Sequence, residues 1–143
     1  MPILFIVNVE AAINKGNKWL IIQRSKEEEH AGGLLSLVGG KVEEKSTQKD
    51  VLEIALKREV LEEVDLHVDK EMTYLHSVGF ITDQGDQVIN VVFLCKYKSG
   101  KAYPKSPEEV EQVLWMTTKE ILEDSQAPDY LKESIKLADE KNR

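Results

Sequence analysis

A single cysteine, Cys95, is all the sequence holds of crosslinking chemistry, so an internal disulfide is excluded and a cysteine-built zinc site is disfavoured. It sits in the run Val91-Val92-Phe93-Leu94-Cys95, where a buried strand residue is the expectation. Long hydrophobic runs are missing as well. Stretches such as Val88 to Cys95 are interrupted by polar residues and fall far short of the roughly 20 residues that a membrane-spanning helix requires. The start, Met1-Pro2-Ile3-Leu4-Phe5, shows neither a basic leader region nor a small-residue cleavage site. These absences give a cytoplasmic protein with no membrane partner as the expectation. Gly/Ser-rich and Pro-rich stretches are also lacking, which predicts one domain over residues 1–143 with no linker. Positive charge is in short supply: 19 basic residues against 26 acidic ones leave a net charge of −7, which argues against binding a nucleic-acid backbone. The same surplus would repel any phosphate-bearing small molecule unless cations, nearby Arg and Lys, or helix N-termini offset it at the site.

What is present suffices for a core. Apolar residues make up 41% of the 143-residue chain, enough to bury most of the apolar surface of the unfolded form. Phe5 to Ile13 alternates loosely and is rich in Ile and Val, Asn14 to Asn17 carries turn chemistry, and Trp19 to Gln23 resumes the apolar run, which together read as a hairpin. Ser25 to His30 reads as a polar loop, and the pairs Gly32-Gly33 and Gly39-Gly40 bracket the apolar stretch Leu34 to Val38. Thr47, with Asp50 three positions on, resembles a capping box ahead of a helix that runs to Val64 without Gly or Pro. Two further strands, around Met72 to Phe80 and Gln87 to Lys98, flank the turn composition Thr82 to Asp86. Val113 to Met116 reads as another strand, Thr117 begins a short helix, and Pro128 stands where a first helical turn tolerates it, before a helix from Asp129 to Lys141. Strands on both sides of one internal helix, with a second helix at the end, predict an α/β fold with a mixed sheet covered on two faces.

The internal helix carries the chemistry. At 100° per residue, Arg58, Glu59, Glu62 and Glu63 share an arc of roughly 140° with Val51, Leu52 and Ala55 of the preceding turns. Leu56, Val60 and Val64 form a second apolar patch, and Ile54 with Leu61 a third, a pattern that predicts a helix packed between layers. An acidic run on a helix is ordinarily a solvated face. Here the carboxylates interrupt an otherwise core-facing arc, and one arginine cannot neutralise three of them. Hard oxygen donors at i, i+3 and i+4 suit Mg²⁺ or Mn²⁺, whose common task is to bridge carboxylates and phosphate oxygens.

These residues, together with Gly39-Gly40-Lys41-Val42-Glu43, resemble the Nudix hydrolase signature, in which a glycine and a glutamate precede Arg-Glu-aliphatic-x-Glu-Glu-x-Gly-aliphatic. Arg58, Glu59, Val60, Glu62, Glu63 and Leu66 match the second half, and Ala55 stands where a small residue is common. Three departures accompany the match. Counting back from Arg58 puts Asp50 in the first Glu position, ten residues after Gly40 instead of six, which implies a four-residue insertion among Glu44 to Lys49 and a supporting role for Asp50 near the helix N-terminus. Asp65 replaces the glycine of the helix C-terminal left-handed position, which Asp tolerates better than most residues. Val38 replaces a frequent proline.

The resemblance implies an α/β/α sandwich with a central catalytic helix and a Mg²⁺-dependent pyrophosphohydrolase acting on a nucleotide-type substrate, with Mn²⁺ as an alternative ion. It makes Glu59 and Glu63 metal ligands, Glu62 a further ligand or a base acting through water, the Gly39 carbonyl another ligand, and Arg58 the group that orients the glutamates. A further acidic ligand is expected before the last strand, where Glu108, Glu109 and Glu111 are candidates and Glu109 is favoured by its distance from Trp115. Arg24 and Lys41 flank the expected site and are candidate phosphate contacts. His30 is a candidate gate or substrate contact, His67 and His76 read as ordinary strand-region residues, and Tyr74, Phe80 and Tyr97 are equally base-stacking candidates or core aromatics. Ile81 to Gln84 lacks the proline and tyrosine that would mark relatives acting on ADP-ribose or dinucleoside polyphosphates, leaving a nucleoside triphosphate or small nucleotide derivative as the expected substrate. Two rival readings stand beside the hydrolase: a non-catalytic Nudix-like nucleotide-sensing domain and a purely structural acidic domain. Homodimerisation is left open.

Overall fold

The computed structural model describes every residue except Glu29 and Ser46. Those two fall in the expected polar loop and in the inserted segment, so that part of each expectation lies outside the described residues. The elements are β1 (Ile6–Lys15), β2 (Lys18–Arg24), β3 (Leu35–Ser36), β4 (Val38–Lys41), α1 (Val51–Val64), β5 (His67–Ile81), β6 (Gln87–Ser99), β7 (Val110–Thr117), α2 (Thr118–Glu123) and α3 (Asp129–Asn142). Seven strands form one mixed sheet ordered β3-β2-β1-β6-β5, with β4 also on β1 and β7 also on β2. Both expected hairpins are present, β1 against β2 and β5 against β6. The only parallel pairing among the described residues joins β1 to β6, with Asn8 opposite Asn90.

The sheet has a core on each face because its central strands are apolar at consecutive positions. On one side Val9, Ala11 and Ile13 of β1 pack with Ala55, Leu56, Val60 and Val64 of α1. On the other, Ala12 of β1 packs with Ile121 of α2 and Leu131, Ile135 and Ala138 of α3. Cys95 is free and buried in the first of these cores, as its apolar run implies, and burial pushes its thiol up to about 12.

The start of α1 differs from the capping-box expectation. The helix begins at Val51 with Asp50 as N-cap in the left-handed region (φ 55°) and with no side-chain cap bond. No bond from Thr47 to the helix is present among the described residues. A left-handed Asp, one of the few residue types that visits this region readily, turns the chain into the helix instead. At the other end Asp65 is the C-cap with φ 57°, its N–H donating to the Leu61 carbonyl, so the expected left-handed site holds. Thr117 and Glu120 form a full capping box for α2. Pro128 is the N-cap of α3 rather than part of its first turn. At that position its missing N–H costs nothing, while its carbonyl accepts from the amides of Leu131 and Lys132.

The three-sided apolar reading of α1 is also corrected. Leu56, Val60 and Val64 are fully buried, whereas Ile54 and Leu61 are 39% and 37% exposed. Only one flank of α1 meets the sheet, and no layer covers the other among the described residues. Truncating Leu56 to Ala should therefore cost about 2–5 kcal/mol in a denaturant titration, and Leu61→Ala under about 1 kcal/mol. Equal costs would contradict this one-sided packing.

Candidate active site

The site is built where β4 runs beside α1. Gly39 and Gly40 lie on β4, in antiparallel register with Glu10 and Val9 of β1. A Cβ on Gly40 would run into the carboxylate of Glu59, and one on Gly39 into the Val9 carbonyl oxygen. The paired glycines are thus required by close approach, and they let the helix carboxylates reach the strand backbone. Glu59 and Glu63, one helical turn apart, are only 7% and 6% exposed. The Gly39 N–H donates to Glu63 Oε1 at 3.3 Å.

Arg58 supplies the single positive charge bonded within this cluster. Its Nε and Nη2 donate to Glu44 Oε2 and Oε1 at 2.8 and 3.3 Å, a two-pronged pairing. Nη1 donates to Glu59 Oε1 at 2.9 Å and to Glu62 Oε2 at 3.2 Å, and Nη2 also reaches the Lys41 carbonyl at 3.0 Å. Glu44 is the functional residue that spacing missed. Asp50, counted back from Arg58 as the first glutamate's equivalent, has no bond to Arg58 among the described residues, whereas Glu44, just after the glycine pair, makes two. Counting six residues forward from Gly40 lands on Ser46, so neither direction of counting points to Glu44, which only its bonds to Arg58 reveal.

The last carbonyls of α1 are claimed by the loop before β7. Tyr103 N–H donates to Val64, Lys105 N–H to Glu63 and Ser106 Oγ to Glu62, meeting the need of a helix end for outside donors. This docking carries Glu109 towards the helix carboxylates, and its charge raises both Glu59 and Glu63. Glu59 is raised chiefly by burial, against the opposing pull of Arg58. Glu63 is pushed up to about 8 by burial and then by the charges of Glu59 and Glu109. Glu109 is raised by burial and by Glu28 and Glu108. Glu44, bonded to Arg58, is held below the usual carboxylate range.

Among the described residues, no group of three or more His, Cys, Asp or Glu side chains is closely enough gathered to cage a metal as it stands. The donor set nonetheless suits a hard divalent cation. Two buried carboxylates and a third nearby are raised by burial first and by neighbouring carboxylates second, and the neighbouring strand carries no side chain at Gly39 and Gly40. A cation there would relieve the repulsion.

Arg24, at the end of β2, lies between groups: it lowers Glu63, Glu109 and Glu10, while its Nε donates to the His30 carbonyl at 3.0 Å. Lys41 is exposed at the end of β4. The remaining candidates separate. His30 stacks on Phe80 with centroids 6.4 Å apart, and His76 Nε2 is 2.9 Å from Ser134 Oγ. Tyr97 lies edge-on to Trp115 beneath Lys15, and Tyr74 meets Phe93 edge-on. Glu108, Glu109 and Glu111 are all exposed, and of the three it is Glu109 whose charge raises Glu59 and Glu63.

The site thus consists of a mixed sheet between helices with a helical row of carboxylates seated against a glycine pair. The sequence profile of the NUDIX domain matches residues 5–137. Among solved structures, a MutT NUDIX hydrolase from Burkholderia pseudomallei superposes with TM-score 0.79 at 23% identity, over 94% of this chain and 98% of the other. The MutT protein of Methanosarcina mazei Go1 superposes with TM-score 0.77 at 24% identity, over 100% and 99%. The NUDIX domain of Shewanella oneidensis NrtR, solved with ADP ribose, does so with TM-score 0.75 at 20% identity, over 98% and 90%. No curated protein sequence matches the chain significantly. The chain belongs to the Nudix family. It is accordingly a pyrophosphohydrolase, of the family that hydrolyses nucleoside diphosphate derivatives.

The raised Glu63 carboxyl has a measurable consequence. With a folded value of about 8 against an ordinary 4.5, the folded chain holds a proton that the unfolded chain releases. Its contribution is therefore fully present below pH 4.5 and is lost as pH rises to about 8. In chelator, Glu63→Gln should flatten that decline and be more stable than the native chain above pH 8, by between about 1 and 5 kcal/mol. Denaturant titrations from pH 4 to 9 with the same slope for both proteins would contradict this.

Proposed function

We propose that the chain hydrolyses a diphosphate linkage in a nucleoside triphosphate or other nucleoside diphosphate derivative, with Mg²⁺ or Mn²⁺ held by Glu59, Glu63, the Gly39 carbonyl and Glu109, and with Glu62 as a further ligand or a base acting through water. The carrying observation is the pair of nearly buried carboxylates, Glu59 and Glu63, set against the side-chain-free strand Gly39-Gly40 with a single bonded arginine for the whole cluster. A cation bound there supplies an activated water and neutralises charge on the leaving phosphate. Arg58, held at once by Glu44 and the Lys41 carbonyl, fixes the rotamers of Glu59 and Glu62. Arg24, whose charge acts on Glu63 and Glu109 while its side chain pairs with Glu28 and the His30 carbonyl, would meet a phosphate at the rim, and Lys41 would do so from the end of β4. Both counter the −7 net charge where a polyanion would approach. Asp50 contributes charge at the α1 N-terminus only.

The non-catalytic sensing alternative calls for loss of box carboxylates. Arg58, Glu59, Glu62 and Glu63 are all present, and Arg58 is bonded to both Glu59 and Glu62, which favours catalysis. The test is a screen of nucleoside triphosphates, nucleotide sugars and dinucleotides with Mg²⁺ and with Mn²⁺, detecting phosphate and pyrophosphate release. Glu59→Gln and Glu63→Gln should each lower turnover by at least about a hundredfold. Native-like turnover in both variants would remove α1 as the metal site.

A further inference from the structure

On the opposite face of the sheet from α1 lies a polar chain that the phosphate chemistry does not use. Asn8 and Asn90 are directly paired across β1 and β6, and Glu10 follows two residues on, on the same face as Asn8. Asn8 Nδ2 donates to Asn90 Oδ1 at 2.7 Å, and Asn90 Nδ2 donates to Glu10 Oε1 at 2.8 Å. The direction of this chain is dictated by its carboxylate. As a carboxylate, a form that burial opposes and the Asn90 bond and the Arg24 charge favour, Glu10 accepts only, so Asn90 turns its NH₂ to it, which leaves Asn90 Oδ1 to take the Asn8 NH₂. The outcome is a partly buried floor whose spare groups, Glu10 Oε2 and Asn8 Oδ1, are both acceptors. No bond to either is present among the described residues.

The surroundings of that floor are apolar and open. Val78 is the cross-strand partner of Asn90, and Phe80 follows it on the same face; they are 40% and 42% exposed. His30 stacks parallel to Phe80. Tyr130, in the first turn of α3, is 46% exposed and close enough to Glu10 to feel its charge. Exposed aromatic and apolar walls around a few convergent polar groups are the make-up of a small-molecule site. This one adjoins the carboxylate cluster through Gly39, which pairs with Glu10 and donates to Glu63, and through Arg24, whose charge acts on both.

We propose that Glu10, oriented by Asn90 and Asn8, reads the edge of the substrate's nucleobase and selects guanine. This rests on the hydrolase reading only for the placement of the phosphates at Glu59 and Glu63. Acceptors need donors: guanine presents adjacent N1–H and N2–H groups to a carboxylate, whereas adenine offers one amino group beside a ring acceptor, and uracil and cytosine offer no such pair. The mismatched bases leave Glu10 desolvated without a partner, which is the strong form of discrimination.

The test combines steady-state hydrolysis of GTP, ITP, ATP, CTP and UTP with calorimetric binding of GMP and AMP, which lack an anhydride. GTP should exceed ATP in kcat/KM by at least about tenfold, with ITP, which lacks the 2-amino group, between them. Glu10→Gln should remove most of that advantage, through a higher KM for GTP and a lower one for ATP, whose mismatch with an unpartnered carboxylate it relieves. Asn8→Ala, which leaves the carboxylate in place, should narrow the GTP preference in the same direction and provides the comparison should Glu10→Gln fail to fold. Equal kcat/KM for GTP and ATP, or equal losses for both in the variants, overturns base reading and leaves the hydrolase standing. No hydrolysis, with GMP still bound more tightly than AMP and the difference lost in the variants, overturns the hydrolase and leaves base reading standing.

Discussion

The Arg58 guanidinium is the contact on which the acidic site depends. It ties together three parts of the chain that sequence distance keeps apart: the end of β4 through the Lys41 carbonyl, the segment after it through Glu44, and α1 through Glu59 and Glu62. The bonds and charges of Glu44 and Glu59 raise Arg58 itself further above its ordinary value, against the opposing effect of burial, so it stays charged at any pH the fold survives. One fixed charge cannot neutralise so many acids. It bonds Glu44, Glu59 and Glu62 and leaves Glu63, among the described residues, to one backbone N–H, so burial and then the charges of Glu59 and Glu109 raise Glu63 with no bonded cation to oppose them.

Much of this was legible in the sequence, and the parts that were not share a cause. The hairpins, the helix carrying the acids, the buried thiol and the left-handed Asp65 all follow from local pattern, since each depends on residues within a few positions of one another. The capping of α1 did not follow, because Asp50 takes up a backbone conformation that Thr47 and its spacing cannot reveal. Ile54 and Leu61 read as a third packed face because periodicity reports which residues align, not how many layers exist to cover them. Glu44 was hidden by the inserted residues, and what identifies it is its two bonds to Arg58 rather than its place in a count. The Asn8–Asn90–Glu10 chain left no signal at all, because it joins residues 82 positions apart through the parallel pairing of β1 with β6.

That parallel pairing does more than close the sheet. It sets polar residues of two central strands side by side on the face opposite α1, at the end where α3 begins. The antiparallel β4, on the other flank of β1, brings Gly39 beside Glu10. A strand in the middle of a sheet presents alternate residues to opposite faces, so β1 contributes Val9 to the core under α1 and Glu10 to the face under α3. The two acidic groups of concern, Glu63 and Glu10, thus stand close to one strand from opposite directions.

The glycine pair makes this closeness workable. With any side chain at position 40 the Glu59 carboxylate would be displaced, and with one at position 39 the β4 strand would be forced off β1, separating Glu63 from the Gly39 N–H. A net negative protein can present a polyanion with a favourable surface only if its own acids are drawn inward and its cations face out. Here Glu59 and Glu63 are drawn in by the bare strand, Arg58 is spent on Glu44, Glu59 and Glu62, and Arg24 and Lys41 stand outside that set of bonds. The order of these assignments is fixed by sterics before charge enters: backbone approach at Gly39 and Gly40 decides which carboxylates are buried, burial decides which are raised, and the raised ones are those with most to gain from a cation.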